Sequence, residues 1–296
     1  MEMIFNELRS VNIWGTFKSY KLASIGGLWI ALWIIIAIAG PILRPDQSPN
    51  ANDQHLEYSL VKPGTEVEID GKSFTYHLGS DRYGRDFLSR LMAGSAISLS
   101  VAGVAVAISL IIGLFLGAWA GFKGGRVDVV VSWFLQVVWT VPTLLMVLAI
   151  TLAFGKGFWQ VFVAIGLTMW VEVARIVRGQ FISLRELEYV QAAKALGLSD
   201  FRIMFRHMLP NALGPIIVVA AANFAAAILI EAGLSFLGVG ARIPVPSWGN
   251  IVKEHYHLLT TDLAWLAVLP GALIASLVLA FTWVGDGFRH SFDLNS

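Results

Sequence analysis

Six long runs of apolar residues, separated by polar segments, dominate the 296-residue chain. An α-helix rises about 1.5 Å per residue, so about 20 residues are needed to cross about 30 Å of membrane hydrocarbon. The runs lack the short alternation of barrel strands, and a helix satisfies its own backbone hydrogen bonds. We therefore predict an all-α polytopic membrane protein with six transmembrane helices, near residues 22–43, 97–121, 129–154, 158–178, 212–230 and 263–285.

The polar segments divide the chain into an N-terminal part (residues 1–21), a loop after the first span (44–94), a core with five further spans (95–288) and a tail (289–296). Alternating residues around Asp70 and Gly71 predict a small β-hairpin in the loop, with strands at 65–69 and 73–77. The N-terminal part is either an amphipathic interfacial helix or a frayed tail, because four apolar residues share one helical face: Ile4, Phe5, Leu8 and Val11.

Composition supports a membrane protein and excludes several kinds of site. The chain is 56% hydrophobic and 14% charged, with a mean hydropathy of +0.70, whereas soluble domains carry about 25% charged residues. It has no cysteine, which excludes disulfides, zinc–thiolate sites and iron–sulfur clusters. The net charge of +1 gives no indication of a nucleic-acid partner.

Positive charges are distributed unequally between the two sets of connecting segments. The short segments on one side hold only Lys156, Arg242 and Lys253. Short cytoplasmic loops are enriched in Lys and Arg, so we predict that both termini are cytoplasmic and that the 44–94 loop forms a polar outer cap. The predicted cytoplasmic set has twelve members: Arg9, Lys18, Lys21, Lys123, Arg126, Arg175, Arg178, Arg185, Lys194, Arg202, Arg206 and Arg289.

Few polar residues lie within the predicted spans. Glu172 and Arg175 are three residues apart on one helical face, which predicts that they pair with each other. Three further polar residues could line a substrate pathway: Gln136, Asn223 and Glu231. The alternative is a structural role, in which the two amides hydrogen-bond to neighbouring helices and Glu231 reaches water at the outer boundary. We expect neither a midplane proton relay nor a span made of two half-helices around an ion site, so coupling to an ion gradient is disfavoured.

Glycines and prolines add packing and shape predictions. Gly113, Gly117 and Gly121 recur every four residues and allow another helix to approach closely, either in a partner subunit or within the same bundle. Pro142 and Pro215 are predicted to kink the third and fifth spans because proline removes a backbone hydrogen bond.

His255 and His257 flank Tyr256 in a predicted outer loop. Two imidazoles without a third ligand favour a solvated loop over a metal site, so no metal is predicted. No nucleophile–base set stands beside them, and no catalytic residue is predicted. An intramembrane enzyme is therefore a poor hypothesis.

The polar, basic segment 185–211 predicts two helices between the fourth and fifth spans. The first, 186–196, has Leu187, Val190 and Leu196 for packing, and Gly197 stops it as a C-terminal glycine does. Ser199 or Asp200 caps the second, and Pro210 ends it. Four apolar residues form a stripe on the second helix: Phe201, Met204, Phe205 and Met208. Two amphipathic helices joined at a glycine favour a docking element for a partner over a merely solvated loop.

The same segment resembles the EAA loop of ABC-importer permeases, through Gln191-Ala192-Ala193, then Gly197, and Leu209-Pro210. Further motifs at 78–90, 234–238, 246–250 and 285–287 resemble the C-type permeases of dipeptide, oligopeptide and nickel importers. Two positions depart from the family pattern. Gln191 stands where the family has glutamate, and Ala96 where it often has arginine.

The resemblance implies the type I ABC importer permease fold in the bacterial cytoplasmic membrane. It also implies a second permease subunit in a heterodimer, two ATPase subunits or domains and an external substrate-binding protein. ATP and magnesium would bind the ATPases, so this chain would carry no cofactor and hydrolyse nothing. Di- or oligopeptides are the expected cargo, with nickel or another solute as the alternative and a channel or secondary carrier as the rival function.

The resemblance also assigns residues to two expected surfaces. The first would couple the chain to the ATPases: Tyr189, Gln191, Ala192, Ala193, Leu196, Gly197, Ser199, Asp200, Arg202 and Arg206. The second would dock the binding protein: Asp81, Arg82, Arg85, Asp86 and Trp248.

Overall fold

The computed structural model describes residues 20–155, 158–240 and 244–293. The N-terminal segment with the predicted amphipathic face lies outside these residues. Short 3-10 turns occur at Pro49–Ala51, Leu56–Tyr58 and Tyr256–Leu258. The other elements are α1 (Lys21–Leu43), β1 (Thr65–Ile69), β2 (Lys72–Tyr76), α2 (Phe87–Lys123), α3 (Gly125–Trp139), α4 (Thr143–Ala153), α5 (Phe158–Arg185), α6 (Glu188–Ala195), α7 (Asp200–Phe236), α8 (Trp248–His255) and α9 (Trp265–Asp293).

Within the described residues, five helices are long and apolar enough to cross a membrane, namely α1, α2, α5, α7 and α9. The pair α3 and α4 is a sixth span if its two bent halves are taken together. This architecture confirms the predicted all-α fold with six spans. Helix α2 begins earlier than predicted, at Phe87, where the Asp86 carboxylate caps it by accepting a 2.8 Å hydrogen bond from the Ser89 backbone N–H.

The third span is broken rather than kinked, because α3 and α4 meet at an angle of 88°. This span therefore consists of two half-helices, whereas the sequence predicted a kink; the expectation that no such break holds an ion site stays a prediction. Pro142 has φ −55° and ψ 125°, an extended conformation that stops one helix and precedes the next. Proline lacks an N–H and disfavours helical geometry in the preceding residue, so two adjacent effects break the helix here.

Helices α2 and α5 pack closely along their lengths. A Cβ added at Gly113 would lie 2.5 Å from the Val173 Cβ, and one at Gly117 would lie 2.5 Å from the Ala174 carbonyl oxygen. Gly121 is equally tight against the Arg178 carbonyl oxygen, at 2.6 Å. The three glycines therefore serve packing within the bundle, the second of the two alternatives left open by their spacing.

Helix α7 is continuous from the polar segment into the fifth span. It starts as an α-helical turn at Asp200–Arg202, becomes π-helical at Ile203–Met208 and 3-10 at Leu209–Ala212, and is α-helical over Leu213–Phe236. The prediction that Pro210 ends the second helix was wrong, because these changes of pitch carry the helix past the proline. Pro215 lies in the first turn of the final α-helical part.

The loop after α1 forms the predicted hairpin. Strands β1 and β2 pair antiparallel, with Ile69 opposite Lys72, so β2 starts one residue earlier than expected. The two turn residues both have positive φ, 49° at Asp70 and 74° at Gly71. This is the turn geometry that favours an Asp-Gly pair between twisted strands. Near the C-terminus, α9 extends through residues 289–293 of the predicted tail.

Candidate functional site

Residues 188–212, from α6 through the first part of α7, form a structured unit that we call the 188–212 element. Helix α6 ends with the Gly197 N–H bonded to the Lys194 carbonyl at 3.0 Å and the Leu198 N–H bonded to the Ala193 carbonyl at 3.2 Å. Gly197 has φ +76°. This pair of bonds is a Schellman motif, which needs a left-handed residue at the Gly197 position. The predicted glycine stop is confirmed.

One side of the element is anchored in the membrane domain. Val190, Ile203 and Met208 are fully buried, and they belong to one apolar cluster with Phe122 of α2 and Phe181 of α5. The predicted stripe on the second helix is only partly correct, because Phe201 is 65% exposed and Ile203 is buried instead. The π-helical turns rotate the buried face relative to an α-helix, which moves Ile203 inward.

The other side of the element is exposed and partly apolar. Leu196 is 81% exposed, and the Phe201 ring contacts the Phe205 ring in a tilted arrangement with centroids 4.5 Å apart. Among the predicted coupling residues, Ala193 is buried and Tyr189 is half-buried. The remaining eight lie on the exposed side: Gln191, Ala192, Leu196, Gly197, Ser199, Asp200, Arg202 and Arg206. Exposed leucine and phenylalanine beside arginines form a surface suited to a protein partner.

Polar contacts hold the element in place. The Gln191 side-chain amide donates a 2.8 Å hydrogen bond to the Arg185 backbone carbonyl. A glutamate, which lacks an N–H donor when ionised, cannot make this bond. The Asn211 amide donates to the Tyr189 hydroxyl at 3.2 Å, and burial raises the pKa of that phenol. Lys123, at the end of α2, forms an ion pair with Asp200.

A buried network of charges lies at the opposite end of α2, which we call the charge cluster. Arg85 donates to the Asp81 carboxylate at 2.5 Å and to the Glu254 carboxylate at 2.6 Å. Arg90 lies 3.6 Å from Asp81 and 3.5 Å from Glu254. All four side chains are at most 6% exposed. The cluster joins the start of α2 to α8 across 169 residues of sequence.

His255 lies beside the charge cluster, and three ligand atoms from Asp81, Glu254 and His255 come within 4.8 Å of one another. Arg85 and Arg90 already neutralise both carboxylates, so the donor set is an ion-pair network and not one suited to a metal. Burial is the largest influence on the His255 imidazole and lowers its pKa. His257, the other histidine of the predicted loop, is exposed and lies outside the cluster.

Four of the five residues expected to dock a binding protein are buried. Asp81, Arg85 and Asp86 are 0 to 3% exposed, and burial is the largest influence on Asp86, raising its pKa. Trp248 is fully buried and donates a 2.9 Å hydrogen bond to the Leu91 carbonyl. Only Arg82 is exposed. In this conformation, therefore, Arg82 alone of the five is available to a partner.

The three candidate pathway residues lie in different surroundings. Gln136 is exposed on α3. Glu231 is 1% exposed and accepts hydrogen bonds from Ser98 at 3.1 Å and Ser235 at 2.7 Å. Asn223 is fully buried, and neither amide atom has a hydrogen-bond partner in the part of the chain that the structure describes.

Glu172 and Arg175 do not form the predicted pair. The Arg175 guanidinium lies 3.3 Å from the centroid of the Trp139 ring, a cation–π contact between α5 and the end of α3. The prediction was wrong because it considered only neighbours on the same helix, whereas the break after Trp139 brings an indole face to the guanidinium.

Known proteins resemble this chain over most of its length. The family model described as binding-protein-dependent transport system inner membrane component matches residues 113–293. The chain belongs to this family. The match includes the last third of α2, every span after it and the 188–212 element.

Curated relatives match across nearly the whole chain. The dipeptide transport system permease protein DppC of Alkalihalophilus pseudofirmus is 36% identical over 276 residues, which are 93% of this chain and 86% of the relative. The oligopeptide transport system permease protein OppC of Bacillus subtilis is 34% identical over 289 residues, 96% of this chain and 90% of the relative. The predicted resemblance to ABC permeases of this group is thereby confirmed.

Solved structures support the fold. A chain from inward-facing MetNI methionine ABC transporter aligns with a TM-score of 0.56 at 19% identity, covering 67% of this chain and 94% of that one. A chain from an amino acid ABC transporter with histidines aligns with a TM-score of 0.50 at 18% identity, covering 69% and 94%. The chain therefore has the fold of ABC importer membrane subunits.

Proposed function

We propose that this chain is the permease subunit of an ATP-driven importer of di- or oligopeptides. The named relatives DppC and OppC support a peptide as cargo. The observation that carries the proposal is the 188–212 element, which is anchored on one side and exposes Leu196 and Phe201 on the other. A firmly held apolar surface outside the spans suits a partner that pushes on the bundle.

The 188–212 element faces the cytoplasm and the hairpin faces the outside. The excess of Lys and Arg in the segments on the element's side supports this orientation. Both chain termini would then be cytoplasmic, in the bacterial inner membrane. A binding protein would approach the hairpin side, where Arg82 and Lys253 line an open polar pocket and offer positive charge to an acidic surface.

The partners are a second permease subunit, two ATPases that hold ATP and magnesium, and an external binding protein. Closure of the ATPases would press on the 188–212 element. Helix α2 is suited to transmit this motion because its two ends join the charge cluster, through Arg90, and the element, through the Lys123–Asp200 pair. Such rigid-body coupling can favour one of two bundle conformations, which is the basis of alternating access.

The absence of cysteine from the chain permits a direct test of the contact with the ATPases. A photoreactive group attached to cysteine in Leu196→Cys or Ser199→Cys, in the purified complex, is expected to form an adduct that mass spectrometry identifies as the ATPase. Ser73→Cys, on the exposed hairpin, is the matched control and should give no such adduct. If neither position of the element is linked to the ATPase, the proposed contact is refuted.

A further inference from the structure

The break between α3 and α4 opens a cavity of about 110 Å³ inside the membrane domain. This volume accommodates a group of several heavy atoms but not a whole peptide. Among the described residues that line it, Glu172 of α5 is the one ionisable residue. Apolar side chains make up most of the remaining wall, from four helices and the break itself: Val138, Trp139, Val141, Met146, Met169, Val171, Ala226 and Ile230.

Glu172 has no partner in the described residues. It is exposed to the cavity side, and it takes part in no ion pair and no side-chain hydrogen bond of residues 20–155, 158–240 and 244–293. Arg175, the cation predicted to pair with Glu172 on the same helix, instead makes a cation–π contact with the Trp139 ring. Glu172 lies within the apolar run of the fourth span, one helical turn before Arg175, and ionisable residues inside a span are rare without a function. A carboxylate that lines an apolar cavity without a partner indicates a ligand.

The chemistry of the cavity points to an organic cation with an apolar attachment. One carboxylate among apolar walls can bind an ammonium group through a charge-assisted hydrogen bond. Met146 and Met169 line the same cavity, and methionine adapts to groups of different shape. A peptide with a free N-terminus offers both features, an α-ammonium that is independent of sequence and a first side chain that varies.

We propose that Glu172 binds the α-ammonium group of the transported peptide in this cavity, while the methionine wall accommodates its first side chain. The inference rests on the proposed function, because it takes the cargo to be a peptide. It adds a residue and a chemical group to that function: the carboxylate recognises the feature that peptides share. Broken helices near the middle of a membrane provide such substrate contacts in transporters.

Protection of a nearby cysteine from labelling tests the assignment in the complete purified complex. Met146→Cys places a single thiol of this chain in the cavity wall, and its labelling by a small neutral thiol reagent is followed by mass spectrometry. Dialanine is expected to slow the labelling at least about fivefold, and N-acetyl-dialanine, which lacks the ammonium, is expected to have no effect. In the Glu172→Gln background the protection by dialanine should fall below about twofold. A tenfold loss in affinity, which corresponds to about 1.4 kcal/mol, leaves most of the sites empty at the same dialanine concentration.

Glu66→Gln, the same chemical change on the exposed hairpin, is the matched control and should leave the protection unchanged. The proposal is overturned if N-acetyl-dialanine protects equally, if dialanine protects equally without the Glu172 carboxylate, or if Met146→Cys does not react. It is also overturned if Glu172→Gln prevents assembly with the second permease, which would make the carboxylate part of a subunit interface. ATP-dependent dialanine uptake by the unaltered complex is measured in parallel: uptake without protection rejects only this site, whereas no uptake of any peptide rejects the proposed function.

Discussion

Gly197→Val is expected to reduce ATP-driven uptake by tenfold or more while the protein still inserts and assembles. Gly197 has φ +76°, and a Cβ there would meet nothing within 4 Å. The substitution therefore causes backbone strain of about 1–2 kcal/mol rather than a clash. Relief of that strain displaces the end of α6 and the exposed Leu196 beside it. A loss of about 1.4 kcal/mol in the contact with the ATPases corresponds to a tenfold loss in its equilibrium constant.

Gly64→Val is the matched control for Gly197→Val. Gly64 also has positive φ, 82°, and open space around it, but it lies beside the hairpin. Gly64→Val should impose similar backbone strain at the other end of the molecule and leave uptake near the rate of the unaltered protein. Uptake and binding-protein-stimulated ATP hydrolysis are measured in liposomes, after membrane insertion has been verified. If Gly197→Val keeps both rates unchanged, the Schellman turn has no role in coupling.

Arg85→Met is expected to lower the stability of the assembled protein by about 3–5 kcal/mol, the usual cost of leaving a buried charge unpaired. Arg85 is 1% exposed and contacts both Asp81 and Glu254. Its removal leaves two buried carboxylates to share Arg90, whose contacts with them are 3.6 and 3.5 Å. Thermal unfolding of the detergent-solubilised protein provides the measurement, and the midpoint should fall by several degrees.

Two further variants separate lost charge balance from lost packing. Arg82→Met removes an exposed arginine three residues away and should hardly change the unfolding temperature. Arg85→Met combined with Glu254→Gln removes one charge of each sign and should recover part of the lost stability, because residues in contact are energetically coupled. An unchanged unfolding temperature for Arg85→Met alone would show that the charge cluster does not stabilise the start of α2.

Local signals in the sequence predicted most of the fold. Continuous apolar runs predicted the spans, Asp70-Gly71 predicted the hairpin turn, and Gly197 predicted the end of α6. Each of these features depends on residues that are close together in the chain. Either the spacing of apolar residues or a backbone conformation that only a few residue types adopt restricts the local structure. The exposed side of the 188–212 element was predictable only in part, because Phe201, which was placed on the apolar stripe with Met204 and Met208, is exposed.

Features that depend on tertiary contacts were not predictable from these signals. Arg85 and Glu254 are separated by 169 positions, so the charge cluster emerges only when α2 and α8 meet. The partner of Arg175 is the indole of Trp139, which lies at the break between α3 and α4. One proline in the sequence predicts a kink but does not predict an angle as large as 88°. Similarly, the π-helical turns that bury Ile203 instead of Phe201 reflect packing against α2 and α5, which overrides the period of an ideal helix.

We propose that an ATPase drives transport through this chain. The most direct test of this proposal is peptide uptake by liposomes that contain the purified permeases and ATPases, with the binding protein outside and ATP enclosed. We predict that dialanine accumulates only when ATP and magnesium are present inside, and that collapse of an imposed proton gradient has no effect. Uptake that follows the proton gradient and continues without ATP would refute ATP-driven transport and favour a secondary carrier.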